Sequence, residues 1–275
     1  MNAVINKANL YYEIHGQGEP LLMLQGWGMD ITGWQFILEP LLNVFQLILL
    51  DNRGTGRSDV TPGKYTTRLL ADDAAALLEH LRIDKAHVLG WSMGGMIAQE
   101  LALAYPRKVN RLILSASSVK VTAKSSFIAW SNIEAINRGE LQTAVNWQLS
   151  FCFSKELFAN EAMLFEIKES ALNPLYPVTY EGLVSQFAAV ASHDRRRQLR
   201  GITSPTLVLG AREDGIIDID QVKALALEIE NSQLRILPGG HMYHIEYPEI
   251  FARTVIDFLW DQAYTRHDSV SAANA

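Results

Sequence analysis

Apolar residues cluster in two alternating ways along this chain. Short runs that are apolar nearly throughout, at residues 10–14, 20–24, 45–50, 87–91, 111–115, 206–210 and 233–237, predict strands. Continuous apolar character is what a strand buried on both faces requires. Between these runs, apolar residues return every three or four positions over residues 69–81, 93–105, 220–229 and 248–260. That period predicts helices with one face turned to a core. Strand and helix taking turns is the pattern of an α/β fold, a mostly parallel central sheet flanked by helices.

From residue 119 to residue 200 the rhythm breaks. Amphipathic helical segments rich in Trp, Phe and Leu follow one another with no clear strand, which predicts an inserted helical cap. The strand pattern resumes after Ile202-Thr203-Ser204-Pro205, where the proline favours entry into an extended segment. The expected organisation is a first core portion at 1–118, the cap at 119–200 and a second core portion at 201–263. The small, polar residues 264–275 are expected to form a disordered tail.

Composition narrows the class. Of 275 residues, 48% are hydrophobic and 20% charged, the balance of an ordinary globular protein. The net charge is -6 and the only dense basic run is Arg195-Arg196-Arg197, which argues against a nucleic-acid partner. No apolar stretch approaches the roughly 18 residues of a membrane helix, so no membrane span is expected. The opening residues, Met1-Asn2-Ala3-Val4-Ile5-Asn6-Lys7, lack the basic and long apolar regions of a secretory leader, so a cytoplasmic location is expected. The single cysteine, Cys152, sits in the apolar run Ser150-Phe151-Cys152-Phe153 and reads as a buried, inert thiol.

The chemistry begins at Gly90-Trp91-Ser92-Met93-Gly94, a Gly-x-Ser-x-Gly pattern between a predicted strand and a predicted helix. The pattern alone is common; the strand before and the helix after give it weight. Glycines on either side allow a turn sharp enough to lift a serine hydroxyl above the sheet edge. The helix that follows aims its amides and dipole at the same point, which makes the backbone N–H of Met93 an oxyanion donor. A serine hydroxyl needs an imidazole to take its proton and a carboxylate to orient that imidazole. Asp214 follows the strand at 206–210 and His241 follows the strand at 233–237 through Pro238-Gly239-Gly240, so Ser92, Asp214 and His241 form a candidate triad. Glu213, Asp218 and Asp220 are alternative acids; His244 is the alternative base, more simply read as a packing or pocket-wall residue. His15, His80, His87 and His267 are read as structural. No His, Cys and carboxylate cluster has metal-ligand spacing, and no cofactor is implied.

With these residues assembled, the chain resembles the α/β-hydrolase superfamily over residues 4–262. It is most similar to the small bacterial carboxylesterases, enol-lactonases and cofactor-free perhydrolases. Besides the serine turn, the likeness rests on Asp51-Asn52-Arg53-Gly54-Thr55-Gly56-Arg57-Ser58, on the Asp214 loop, and on Pro238-Gly239-Gly240-His241 leading to Glu246-Tyr247-Pro248-Glu249. The resemblance implies that the Asp51 segment is a structural turn without chemistry. It also implies that the loop after the strand at 20–24 supplies a second oxyanion donor, the amide of Trp27. Members of the superfamily usually carry His-Gly here, whereas this chain reads Gln25-Gly26-Trp27-Gly28, with Gln25 in the place of a histidine that helps shape the loop. A carboxamide can donate and accept, so Gln25 could hold the loop by other contacts. Trp27 and Trp91 flank the site and read equally as pocket lining or as core. Residues 185–194 resemble the corresponding stretch of enol-lactonases and perhydrolases, and His193 is a candidate pocket residue near the cap's end.

The expected function is that of a serine hydrolase acting on a small to medium, largely apolar ester or lactone. Its only implied partner is that small-molecule acyl substrate. The same triad also serves carbon–carbon bond hydrolases and perhydrolases. A ligand-binding or signalling protein on a relaxed hydrolase scaffold is a third reading, with Gln25 as its mark. The oligomeric state has no signature in the sequence.

Overall fold

The computed structural model describes residues 1–260; the expected tail at 264–275 lies outside the described residues. An eight-stranded sheet is built from β1 (Asn2–Ile5), β2 (Ala8–His15), β3 (Glu19–Leu24), β4 (Phe45–Leu50), β5 (Ala86–Trp91), β6 (Val109–Ser115), β7 (Thr206–Ala211) and β8 (Ser232–Leu237). The spatial order is β1-β2-β4-β3-β5-β6-β7-β8; β1 and β2 run antiparallel to their neighbours and the rest are parallel. All seven predicted strands are present. The sequence pattern missed β1, whose four residues alternate exposed and buried and join β2 through a two-residue turn at Asn6 and Lys7, both with positive φ. Positive φ at both turn residues matches the twist of the strands that they connect.

Both faces of the sheet are covered. Leu22, Leu24, Val88, Leu112, Leu114 and Val208 pack on one side with α2 (Thr67–His80) and α3 (Met93–Ala104). Their odd-numbered neighbours Leu21, Met23, Leu89, Ile113, Leu207 and Leu209 face the other side. There they meet a 3-10 turn at Ile31–Ile37 and the C-terminal helix Pro248–Trp260. This two-sided burial is why the strand runs are apolar without alternation.

Five helices lie between β6 and β7. With the short α1 (Leu38–Leu42) counted first, they are α4 (Ala123–Asn137), α5 (Leu141–Cys152), α6 (Lys155–Ala159), α7 (Glu161–Leu172) and α8 (Tyr180–Ser192). The two ends of this segment are pinned together, since Lys120 pairs with Asp194 in an isolated antiparallel bridge and Arg195 N–H donates to Val119 O at 3.0 Å. After β7 come α9 (Ile219–Glu228), the short α10 (Tyr243–Glu246) and α11 (Pro248–Trp260). Among the described residues no helix is long and apolar enough to cross a membrane.

Candidate active site

The register of β3 on β5 places Leu24 beside Gly90, so the Gln25 loop and the serine turn leave the sheet side by side. Ser92 has φ 56 and ψ −117, a conformation that L-residues rarely adopt. The flanking glycines make it attainable. A Cβ on Gly94 would overlap the carbonyl oxygen of Leu24, and one on Gly90 would overlap the backbone of Gly94. The start of α3 therefore rests directly on the ends of β3 and β5, and Ser92 N–H is anchored on Ser115 O at 2.8 Å.

Ser92 Oγ stands 2.9 Å from His241 Nε2, and His241 Nδ1 stands 2.8 Å from Asp214 Oδ2. The carboxylate's other oxygen accepts the backbone N–H groups of Ile216 and Ile217, each at 2.8 Å. Facing a carboxylate, Nδ1 carries the ring proton, which leaves Nε2 as acceptor for the serine hydroxyl. Three contacts hold the imidazole from behind. Trp91 Nε1–H donates to His241 O at 3.0 Å with the two rings 4.9 Å apart, Gly240 N–H donates to Glu246 Oε1 at 2.7 Å, and Met242 N–H donates to Cys152 O at 2.9 Å.

The alternative acids stand elsewhere. Glu213 accepts the Lys155 backbone N–H at 3.2 Å, Asp218 caps α9 in a reciprocal arrangement with Gln221, and Asp220 is exposed beside Lys223. The alternative base, His244, is buried among Trp34, Trp91 and Phe251. Burial and the neighbouring His241 push its pKa down to about 3, outweighing the Gly33 backbone. His193 is not a pocket residue: it is buried between Thr67 Oγ1 on α2 and Gln99 Oε1 on α3, at 3.0 and 3.1 Å. Burial, with Arg195 nearby, lowers its pKa to about 3 as well. Burial also raises the Cys152 thiol pKa, which keeps it protonated.

These two buried imidazoles make stability depend on pH. An unfolded histidine titrates near pH 6.5, so below that value the unfolded chain binds protons that the native state refuses. The stability present above pH 6.5 is then lost as pH falls toward 3. At about pH 5 the loss is ~2 kcal/mol for each ring. We expect Tm to fall between pH 7 and pH 5, and the fall to be shallower in His244→Leu. Identical pH slopes for the two proteins would contradict the assignment.

Of the two readings of Trp91, the structure places it in the core, under His241, with the residue 4% exposed. Trp27 is half-buried and leans on Phe187 of α8, ring centroids 6.0 Å apart. The backbone N–H groups of Trp27 and Met93 have no hydrogen-bond acceptor among the described residues.

Gln25 does not hold its loop through a distant partner. Its Oε1 meets only the adjacent Gly26 N–H, at 3.3 Å, and its buried Nε2 has no hydrogen-bond partner among the described residues. Other groups take over. Asn52 Nδ2 donates to Gln25 O at 3.0 Å, Trp27 Nε1–H donates to Leu183 O at 2.9 Å, and Gly28 N–H donates to Gln186 Oε1 at 2.9 Å. The Asp51 segment thus supports the Gln25 loop through Asn52. Sequence reasoning missed Asn52 and Gln186 in this role, because a polar contact across 27 or 158 residues leaves no periodic trace.

A sequence model described as the alpha/beta hydrolase fold matches residues 19–248, most of the chain. The chain belongs to that family. Among its relatives is a protein of Azorhizobium caulinodans named as carbamate hydrolase RutD, 29% identical over 256 residues, spanning 91% of this chain and 95% of the relative. Another is 3-oxoadipate enol-lactonase 2 of Acinetobacter baylyi, 28% identical over 248 residues, spanning 90% and 91%. The crystal structure of an enol-lactonase from Burkholderia xenovorans superposes with a TM-score of 0.86 at 25% identity, covering 95% of this chain and 100% of that one. The chain is thus a hydrolase of this family. Among the described residues no group of three or more His, Cys, Asp or Glu side chains is disposed to hold a metal ion.

Proposed function

We propose that the protein cleaves small to medium, largely apolar esters or lactones through an acyl-enzyme on Ser92. The observation that carries this reading is the unbroken relay from Ser92 Oγ through His241 to Asp214, with both links below 3 Å. His241 Nε2 takes the hydroxyl proton as Ser92 Oγ attacks the acyl carbon. Asp214 stabilises the imidazolium that forms, and its own charge is held by the Ile216 and Ile217 amides. The tetrahedral oxyanion is met by the N–H groups of Trp27 and Met93, with the N-terminus of α3 adding a favourable dipole. Collapse expels the alcohol, which receives the proton from His241; a water activated by the same imidazole then releases the acid and restores Ser92.

The relatives named for enol-lactone and carbamate hydrolysis support an acyl carbon bearing an oxygen or nitrogen leaving group as the target. The helices between β6 and β7 act as a cap, and the half-buried Trp27 and Phe187 give the cap side of the site an apolar character suited to such substrates. A ligand-binding role on a relaxed scaffold is disfavoured, because a site without turnover has no use for an aligned relay and two amides that have no acceptor among the described residues.

A fluorophosphonate probe tests the reading. One covalent adduct is expected, mapped to the peptide containing Ser92 and absent from Ser92→Ala, in a protein that also turns over nitrophenyl butyrate or a simple lactone. Failure of the wild type to be labelled and to hydrolyse either compound would sink the enzyme reading. Undiminished labelling of Ser92→Ala would instead move the nucleophile elsewhere.

A further inference from the structure

Resting on that reading, we infer that Gln186 is a positioning residue that makes the oxyanion hole depend on the seating of helix α8. Its carboxamide is buried and spends both ends on the core: Oε1 accepts Gly28 N–H at 2.9 Å, and Nε2 donates to Arg53 O at 2.8 Å. Gln186 therefore bridges three segments, namely the donor loop after β3, the turn after β4, and the helical insertion.

The peptide that carries the donor is the one joining Gly26 to Trp27, and its N–H must stay free. It is held by its neighbours instead. Asn52 fixes the preceding peptide through Gln25 O, Gln186 fixes the following one through Gly28 N–H, and Met29 N–H reaches Gly26 O at 3.3 Å. The Trp27 indole adds a second tie to the same helix one turn earlier, at Leu183 O. Two of these supports thus come from α8. Gln25 does not replace them, since among the described residues its Nε2 has no partner and its Oε1 reaches only the adjacent amide.

The placement of α8 is built in. A Cβ on Gly182 would overlap Gly54 O, so the first turn of α8 lies backbone to backbone on the turn after β4. Tyr65 N–H donates to Ser185 O at 3.3 Å beside it. With Gly182 seated there, residue 186 lies one helical turn further on, within reach of both Arg53 O and Gly28 N–H. Lifting α8 breaks the Gly28 and Trp27 ties together and frees the donor peptide, while Ser92, His241 and Asp214, none of which bonds to α8, keep their alignment. Donor and nucleophile are then complete together only with the helix seated.

Gln186→Met keeps the length and removes both hydrogen bonds. We expect kcat for nitrophenyl butyrate to fall about 10- to 100-fold, approaching the loss of one oxyanion donor, with KM within about threefold of wild type. A trifluoromethyl ketone, which forms a hemiketal oxyanion on Ser92, should lose affinity by the same factor, while the matching methyl ketone keeps its affinity. Gln186→Glu gives an independent readout if the methionine variant folds poorly. A protonated carboxyl can accept from Gly28 and donate to Arg53 O, whereas a carboxylate cannot donate. Burial raises a carboxyl pKa, so the ratio of its kcat to wild type should climb as pH is lowered from about 8 to about 6. Unchanged kcat and ketone affinity in Gln186→Met, or a flat ratio in Gln186→Glu, would overturn the inference. A wild type that no fluorophosphonate labels would point to failure of the underlying hydrolase reading instead.

Discussion

Asp214→Asn is expected to lower kcat by about ten-thousandfold, and Ser92→Ala or His241→Ala by about a millionfold. The asparagine effect follows from which oxygen is already committed. Asp214 Oδ1 accepts two backbone N–H groups, from Ile216 and Ile217. An asparagine must give its carbonyl oxygen to those amides, which turns its NH2 toward His241 Nδ1. The imidazole then accepts at Nδ1 and carries its proton on Nε2, the tautomer that cannot take a proton from Ser92. Geometry is preserved and function is lost. Combining Asp214→Asn with Ser92→Ala should cost no more than Ser92→Ala alone, because the three groups act as one unit. Glu213→Gln, at an exposed position bonded to the Lys155 amide, is expected to stay within about twofold of wild type. Steady-state rates on a short-chain ester decide the matter, and more than a tenth of wild-type activity in Asp214→Asn would remove Asp214 from the relay.

That contrast shows what a single sequence can and cannot carry. The strands were legible because burial on both faces writes a continuous apolar run, and Ser92 stood out because the crowding of β3, β5 and α3 admits only glycine at 90 and 94. β1 was illegible for the opposite reason: at four residues with alternate exposure it offers neither a run nor a period. Position favoured Asp214 but left Glu213, Asp218 and Asp220 open beside it, since all four follow β7 closely; the 2.8 Å contact with His241 and the amides of Ile216 and Ile217 set Asp214 apart, and neither has a sequence signature. Trp91, one residue before Ser92, is still part of its strand, so alternation sends its ring into the core under His241. The departure at Gln25 was visible, but its compensation was not. Asn52 and Gln186 meet the loop through long-range polar contacts, the kind that hydrophobic patterning leaves unmarked.

Asp73→Ala is expected to be the most destabilising substitution of a single charge, lowering the free energy of unfolding by about 3–5 kcal/mol. Arg53 and Asp73 are both buried, and they meet side-on through Nε to Oδ2 and Nη2 to Oδ1, each at 2.8 Å. The carboxylate holds the guanidinium pKa above its ordinary value. Without it Arg53 keeps, among the described residues, only Thr61 Oγ1 at 3.1 Å and Asn6 O at 3.3 Å as hydrogen-bond acceptors, too little to offset a desolvated cation. Asn6 Nδ2 loses a partner as well, since it donates to Asp73 Oδ1 at 3.0 Å. The pair matters less as attraction than as a constraint. Replacing both members with apolar residues of similar volume, Arg53→Met with Asp73→Leu, should recover most of the loss, because no uncompensated charge then stays inside. Urea unfolding midpoints at constant m-value separate the two cases. A loss below about 1 kcal/mol in Asp73→Ala would mean that water reaches Arg53. The pair fastens the turn after β4 to α2 and to the β1–β2 turn, and that same turn supplies Asn52 to Gln25 O and Arg53 O to Gln186. The double variant should therefore keep its hydrolytic rate only if its backbone still presents those two groups, which makes its kcat a direct readout of whether ion pairing or packing sets the position of the Gln25 loop.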